Sequence, residues 1–533
     1  MRWGPECCCT AEPEPPVEPI QTNCFSEAPD EEEKEDTECS SIHLSALKKE
    51  PEITLIAEEE LVRGVSIHAT LHGAGSLWRK SPCDMSEAEK VGLWEKSRRV
   101  DEFDMFLSHA WASSGKVKFL TLLLFTGGGY SFLFWAAAML SASWLYMLDA
   151  LPMPFVLPVD MPEFSGDCPV GVWMLIFGFI AQLAGLALSP YLPHRRCDCF
   201  LDVVSINQHD PVQMQRGIYA LGGFLSRSKE LRILWSPPLF TRLWCIFELA
   251  AYRAANPSGE IRLMPHYFVV VAFLALFLDL VLAMALLGLR TVESGDESWA
   301  HFLFMFLIVL GAVHLGRRVS LQKQRLIEQL ESFTLDGAGC RLESDRDFIY
   351  EAVKQWYGGL DQFTDFVRGP LRGQLLRCCS QIPADLLLVM SLPLVAYKAE
   401  FLLAMWKGGV PGNILMAYFC SSILGFGLWT AFITSVGLYT VDFFAKPTRS
   451  GLLLDFCQSL AIAALTSGTY FSGYVLDMQA RQGHAEMIVL WVTLACLSVA
   501  WFCWAVRDGW LIAPFIGLPF QCKPPTRKQQ PKR

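Results

Sequence analysis

Residues 199–210 read CFLDVVSINQHD. An apolar run gives way to a polar loop closed by Pro211, as where a short strand leads into a helix. Downstream, Met214, Ile218, Leu221 and Leu225 recur three and four residues apart, which predicts a helix over 214–226. LRILW at 231–235 predicts a second strand, stopped by Ser236, Pro237 and Pro238. A second helix is expected over 240–254, and IRLM at 261–264 reads as a last strand. Strands alternating with helices predict a parallel sheet covered on both faces. The unit lacks a first strand, and FDMFLSHAW at 103–111 supplies one from upstream.

Between those two stretches the composition changes character. The chain has 533 residues, 52% of them hydrophobic and only 18% charged. A surface cannot be wetted by so few charges, so the sequence reads as a multi-pass membrane protein whose principal partner is the lipid bilayer. Apolar windows long enough to cross hydrocarbon fall at about 117–147, 170–190, 267–289, 299–316, 384–405, 413–441, 452–475 and 486–506. The formal charge of −10 owes part of its size to DEEEKED at 30–36, and no basic stripe interleaved with aromatics is present, which argues against nucleic acid as a partner. The 18 cysteines show no disulfide or zinc spacing. Residues 1–50 are acidic, rich in proline and poor in aromatics, a composition expected to be disordered rather than a signal peptide.

Lys and Arg set the expected orientation. Lys116, Lys118, Arg195, Arg196, Arg317, Arg318, Arg372, Arg377, Lys446, Arg449 and Arg507 fall on one side of the spans, against Arg290, Lys407 and Arg481 on the other. The loop 148–169 carries Asp149, Asp160, Glu163 and Asp167 with no basic residue. Both termini are therefore expected in the cytosol. The organisation expected is a 1–50 acidic tail, a cytosolic segment 51–116 with the first strand, a membrane hairpin 117–190, the remaining α/β unit 191–266, a second hairpin 267–316, a helical cytosolic block 317–382, a four-span region 383–507 and a basic tail 508–533.

FDMFLSHA resembles the opening strand of TIR (Toll/interleukin-1 receptor homology) domains, in which an aromatic-Asp-x-Phe-(Ile/Leu)-Ser core is typical. CFLDV resembles their second strand, GIYALGGFLSRSKELRILWSP their helix-to-strand passage ending in Ser-Pro, and LWCIFEL at 243–249 their Trp-Cys-x-x-Glu-Leu helix. The four motifs occur in the family's order over roughly 75 residues plus the strand at 103–108. FLDVVSINQHD also resembles, more weakly, the Asp-x-x-x-Ile-Asn-Gln-x-Asp stretch of HET incompatibility domains. The resemblance implies a TIR-like, flavodoxin-like parallel sheet joined to an α-helical membrane bundle. Two departures stand out: a membrane hairpin occupies the place of the family's first helix, and the loop after the second strand lacks the usual Pro-Gly.

In TIR domains that cleave NAD, the glutamate of the LWCIFEL-like helix is catalytic, so the resemblance assigns that role to Glu248. NAD is then a substrate and no resident cofactor is implied. Breaking the nicotinamide–ribose bond leaves an oxocarbenium-like centre that a carboxylate stabilises. Because ligands of open parallel sheets bind beyond the carboxyl ends of the strands, Ser108, His109 and Trp111 and the loop 204–209, with Ser205 and Asn207, are the expected NAD-binding residues. Each has a plainer reading. His109 also reads as a polar strand end, and Trp111 as a membrane-boundary anchor. Many TIR adaptors keep the fold without activity and self-associate through it, so an interaction module and a homo-oligomer are implied as well.

Asp279, Lys398 and Glu400 lie inside predicted spans, where charges face a bundle interior or a water path. A transport pathway would require the three to converge, and a structural role is the expectation. In the block 317–382, Leu321, Leu326, Ile327 and Leu330 and then Phe348, Ile349, Val353 and Trp356 form two helical stripes, ended by Gly358 and Gly359. They predict a helical cap packed on the α/β unit. Cys7–Cys9, Cys378 and Cys379 are candidate palmitoylation sites.

Overall fold

A computed structural model describes residues 55–161, 163–292, 299–380, 384–447, 451–482 and 485–507. The expectations for 1–50, for the tail 508–533 and for the side chains of Cys7–Cys9, Cys378 and Cys379 lie outside the described residues.

The strands are β1 (Arg63–Ser66), β2 (Arg98–Arg99), β3 (Phe103–His109), β4 (Phe155–Met161), β5 (Phe164–Val170), β6 (Asp198–Phe200), β7 (Ser228–Trp235) and β8 (Glu260–Pro265). Six of them form one sheet in the order β2-β1-β6-β3-β7-β8. β6, β3, β7 and β8 run parallel, with Met105 opposite Cys199, Phe106 opposite Leu231, and Leu231 opposite Ile261. In chain order these four strands lie 2-1-3-4, so the connection reverses direction at β3, which marks a topological switch point there. β1 is antiparallel to β6 and β2 to β1, a mixed edge built from the 51–116 segment that strand reading had not anticipated.

Around the sheet stand α1 (Pro211–Tyr219), α2 (Leu221–Ser226) and α3 (Leu243–Ala255). Two expectations are corrected here. CFLDVV is not one strand: β6 stops at Phe200, and Asp202–Ser205 is a helical turn whose Ser205 hydroxyl accepts the Leu201 N–H at 3.1 Å. The helix over 214–226 is two helices meeting at Ala220, and the first starts earlier because the Asp210 carboxylate caps Val212 and Gln213 and Pro211 fits the first turn.

The alternation of β3 sends Phe106 to one face and Met105 and Leu107 to the other. On the first face lie Phe224, Ile246 and Phe247 together with Leu326, Leu330, Phe348, Ile349 and Val353, so the block 317–382 caps the sheet as its two stripes predict. Gly339 of that block accepts the Leu243 N–H at 3.1 Å, tying down the start of α3. Gly358 ends its second helix with φ of 84°. On the other face the sheet packs on Leu122–Leu124, Leu186, Val269, Ala272 and Met390, all from the apolar helices.

Among the described residues, eight helices are long and apolar enough to cross a membrane: Gly115–Met147, Trp173–Tyr191, Tyr267–Thr291, Leu303–Glu331, Val389–Lys407, Gly412–Phe443, Leu452–Arg481 and Ala485–Trp504. The chain is a multi-pass membrane protein by this measure. The first two form the hairpin that interrupts the sheet between β3 and β6, and a two-stranded β4–β5 ribbon, not foreseen from sequence, joins them. Small residues let them approach closely: a Cβ on Gly185 would lie 2.5 Å from the Tyr130 carbonyl oxygen.

The intramembrane charges do not converge. Glu400 caps the start of the second span, accepting the Met174 N–H at 2.8 Å and the Tyr146 hydroxyl. Lys398 lies 3.5 Å from Asp477, whose carboxylate also accepts from Ser421 and Ser422, on a π-helical turn, Phe419–Gly425. Asp279 borders a cavity of about 150 Å³ lined mainly by apolar side chains of the third to seventh spans. Three charges with three separate surroundings fit structural roles better than a shared path.

Candidate functional site at the carboxyl edge of the sheet

β3 ends at His109, and the chain turns through Ala110 and Trp111 before entering the first span. β6 ends one residue before the turn that begins with Asp202. Parallel pairing of β3 with β6 therefore brings Asp202 to the residues after Ser108. The Trp111 indole donates to Asp202 Oδ2 at 2.7 Å, and His109 Nε2 lies 3.4 Å from Oδ1. The Val203 N–H also donates to Oδ1, at 2.7 Å. Burial pushes the Asp202 carboxyl up, but the His109 ring, the indole and the Val203 amide together hold it below the ordinary aspartate range.

The His109 ring is wedged edge-on between Trp78 and Trp111, with centroids 5.2 and 4.7 Å away. Its backbone carbonyl accepts the Cys245 thiol at 3.5 Å, which fixes α3 against the end of β3. One turn further along α3, Glu248 turns its side chain toward the same strand end. Ser108 lies beside its carboxyl and lowers its pKa, while Oε2 is buried with no hydrogen-bond partner among the described residues. Burial pushes the Glu248 carboxyl up to about 8; Ser108 opposes the shift, and Asp202 nearby adds to it. The answer to why a carboxylate interrupts LWCIFEL is thus local: every other turn of α3 buries apolar surface, and Glu248 meets the polar strand ends. Burial, with Glu248 close by, raises the Cys245 thiol well above its usual range, so it is a poor nucleophile.

Of the residues singled out from sequence, Ser108, His109, Trp111 and Glu248 share this cluster. Ser205 and Asn207 do not turn toward it. The Ser205 hydroxyl closes its own turn, and Asn207 Oδ1 accepts the His209 and Asp210 N–H groups at 3.0 and 3.2 Å while its amide reaches Gln213. Asp202 and Lys118 belong to the cluster without having been singled out as site residues. Asp202 carried a signal, an acidic residue directly after an apolar strand. Lys118 had been read only as a marker of membrane orientation.

No protein-family profile, curated protein or solved structure matches this chain.

Proposed function

We propose that this chain is a membrane signalling protein whose TIR-like α/β unit, facing the cytosol, cleaves NAD at the nicotinamide–ribose bond with Glu248 as the catalytic carboxylate. The observation that carries the reading is the Glu248 carboxyl at the switch-point edge of a parallel sheet, beside Ser108, with its Oε2 buried and without a hydrogen-bond partner among the described residues. The 2-1-3-4 strand order supports the TIR-like part, and the crowding of Lys and Arg supports the orientation.

The chemistry follows from the charge. As the C1′–N bond breaks, its electron pair neutralises the cationic nicotinamide ring and positive charge develops on the ribose. A carboxylate facing that carbon stabilises it. Water then adds to C1′, and its proton passes to a base; the ionised form of Glu248, whose share grows as pH rises toward about 8, accepts that proton. The products are nicotinamide, ADP-ribose and a proton.

A non-catalytic interaction module is the second reading. It draws support from His109, whose ring is packed between two indoles, and from Ser205 and Asn207, whose polar groups are used within their own loop. Nicotinamide release by the purified, clustered full-length protein separates the two. Release by wild type that is abolished in Glu248→Gln, with unchanged expression, supports the enzyme; no release from wild type leaves the interaction module.

A further inference from the structure

Lys118 stands in the first turn of the first span, yet its side chain is 0% exposed. Its ammonium has no hydrogen-bond partner among the described residues and sits 4.9 Å from the centroid of the Trp111 ring. A lysine this near a helix end ordinarily reaches for water. Here the backbone prevents it. A Cβ on Gly115 would lie 1.9 Å from the Trp78 carbonyl oxygen, so the span's first turn is seated directly on Trp78. Gly75, with φ of +70°, lies beneath Phe119 in the same way. The ammonium is thereby built into the sheet edge.

Other polar atoms without hydrogen-bond partners gather at that edge. Among the described residues they are Nδ1 of His109, Nε2 of His266 just past β8, and the hydroxyl of Ser236 just past β7. Burial, with Lys118 and His109 nearby, drives the His266 imidazole down to about 4, so at neutral pH it offers an N–H without carrying charge. One cation and several N–H and O–H groups, buried together, match an oxyanion. Cys245 feels the charges of both Glu248 and Lys118, which sets the two groups at the same end of the sheet.

We propose that Lys118 binds a phosphate oxyanion of a nucleotide, making the first membrane span part of the nucleotide site. The proposal rests on the reading of Glu248 as the ribose-side group and names what holds the other half of the same ligand. A phospholipid headgroup carries the same phosphate chemistry. The nucleotide is favoured because the ammonium lies over the Trp111 ring among the strand ends.

Equilibrium binding of ADP-ribose, and of adenosine as the phosphate-free control, to the full-length protein in lipid-free detergent tests it, with Lys118→Met and Lys118→Arg. The expected result is ADP-ribose affinity lowered about 10- to 100-fold by Lys118→Met and partly restored by Lys118→Arg, with adenosine unchanged. If Lys118→Met does not fold, Lys118→Gln, of similar length with a neutral polar tip, replaces it with the same expectation. Lys118-dependent binding of anionic phospholipid nanodiscs but not of ADP-ribose overturns the nucleotide assignment in favour of a headgroup. Equal binding by wild type and the neutral variant, or no binding by wild type, overturns the site. Lys118-dependent binding without NAD cleavage would overturn only the catalytic reading, and cleavage with KM unchanged in Lys118→Met only this one.

Discussion

The Trp111 indole donates to the Asp202 carboxylate across 2.7 Å, joining the end of β3 to the end of β6 on either side of the inserted membrane hairpin. The bond decides between two uses of the same tryptophan. A boundary anchor would leave its N–H in the headgroup layer; this one stitches together the two halves of an interrupted sheet. Trp111→Phe keeps a ring beneath Lys118 but deprives a half-buried carboxylate of a donor. The loss expected is about 1 kcal/mol of stability, read from thermal melts of the purified protein. A Phe variant that melts with wild type would restore the anchor reading.

Glu248 sets a pH dependence whose sign is determined. Its folded-state pKa of about 8 lies above the ordinary value of 4.5, so the folded chain holds a proton that the unfolded chain releases. Stability from this group therefore falls as pH rises from about 4.5 through about 8. Glu248→Gln removes that penalty. It is expected to melt above wild type at pH 8 by on the order of 1–3 kcal/mol, the gap closing toward pH 4.5. Melts at two pH values check it, and a Gln variant less stable than wild type at pH 8 contradicts the burial argument.

The same group controls the rate if it is the catalytic carboxylate. Ionised Glu248 is scarce in the free protein at pH 7, so kcat/KM for NAD should climb about tenfold per pH unit and level off above about 8. A pH–rate profile that is flat between 6 and 8 would exclude Glu248 ionisation as the controlling step.

Asp477 is the hub of its intramembrane cluster, with Lys398, Arg481, Ser421 and Ser422 around it. Removing the hub strands the surrounding cations, whereas removing one spoke leaves the carboxylate its other partners. Asp477→Ala should therefore cost about 3–5 kcal/mol and Lys398→Met markedly less. Melts in detergent give the order, and the reverse order would mean that Lys398 is the organising charge.

Orientation is tested by epitope tags inserted beside Asp160 and Asn256. They are expected in opposite compartments, that at Asn256 facing the cytosol, because Lys and Arg crowd the ends of the spans on that side. Labelling of both from one side would contradict this.

Much of the architecture was legible in the residues because it rests on local chemistry. Among the described residues, all eight apolar helices fall where long apolar windows lie, since crossing hydrocarbon demands length and composition that nothing else in a chain imitates. The runs FDMFLSHAW, LRILW and IRLM marked three strands, which form over Phe103–His109, Ser228–Trp235 and Glu260–Pro265. The β1–β2 edge and the β4–β5 ribbon were not legible, because their residues carry little pattern and are ordered by the partners they pair with. The cluster divides the same way. Ser108, His109, Trp111 and Glu248 stood out by type and place, while Ser205 and Asn207, equally suggestive in sequence, spend their polar groups on their own turns. What only the tertiary structure decided was which polar side chains meet: parallel pairing of β3 with β6 set Asp202 against Trp111, and the seating of Gly115 on Trp78 drew Lys118 out of the membrane boundary into the sheet edge. Periodicity reports which face of an element is apolar, but the meeting of groups from β3, the turn after β6, α3 and the first span depends on long-range packing that no window of sequence contains.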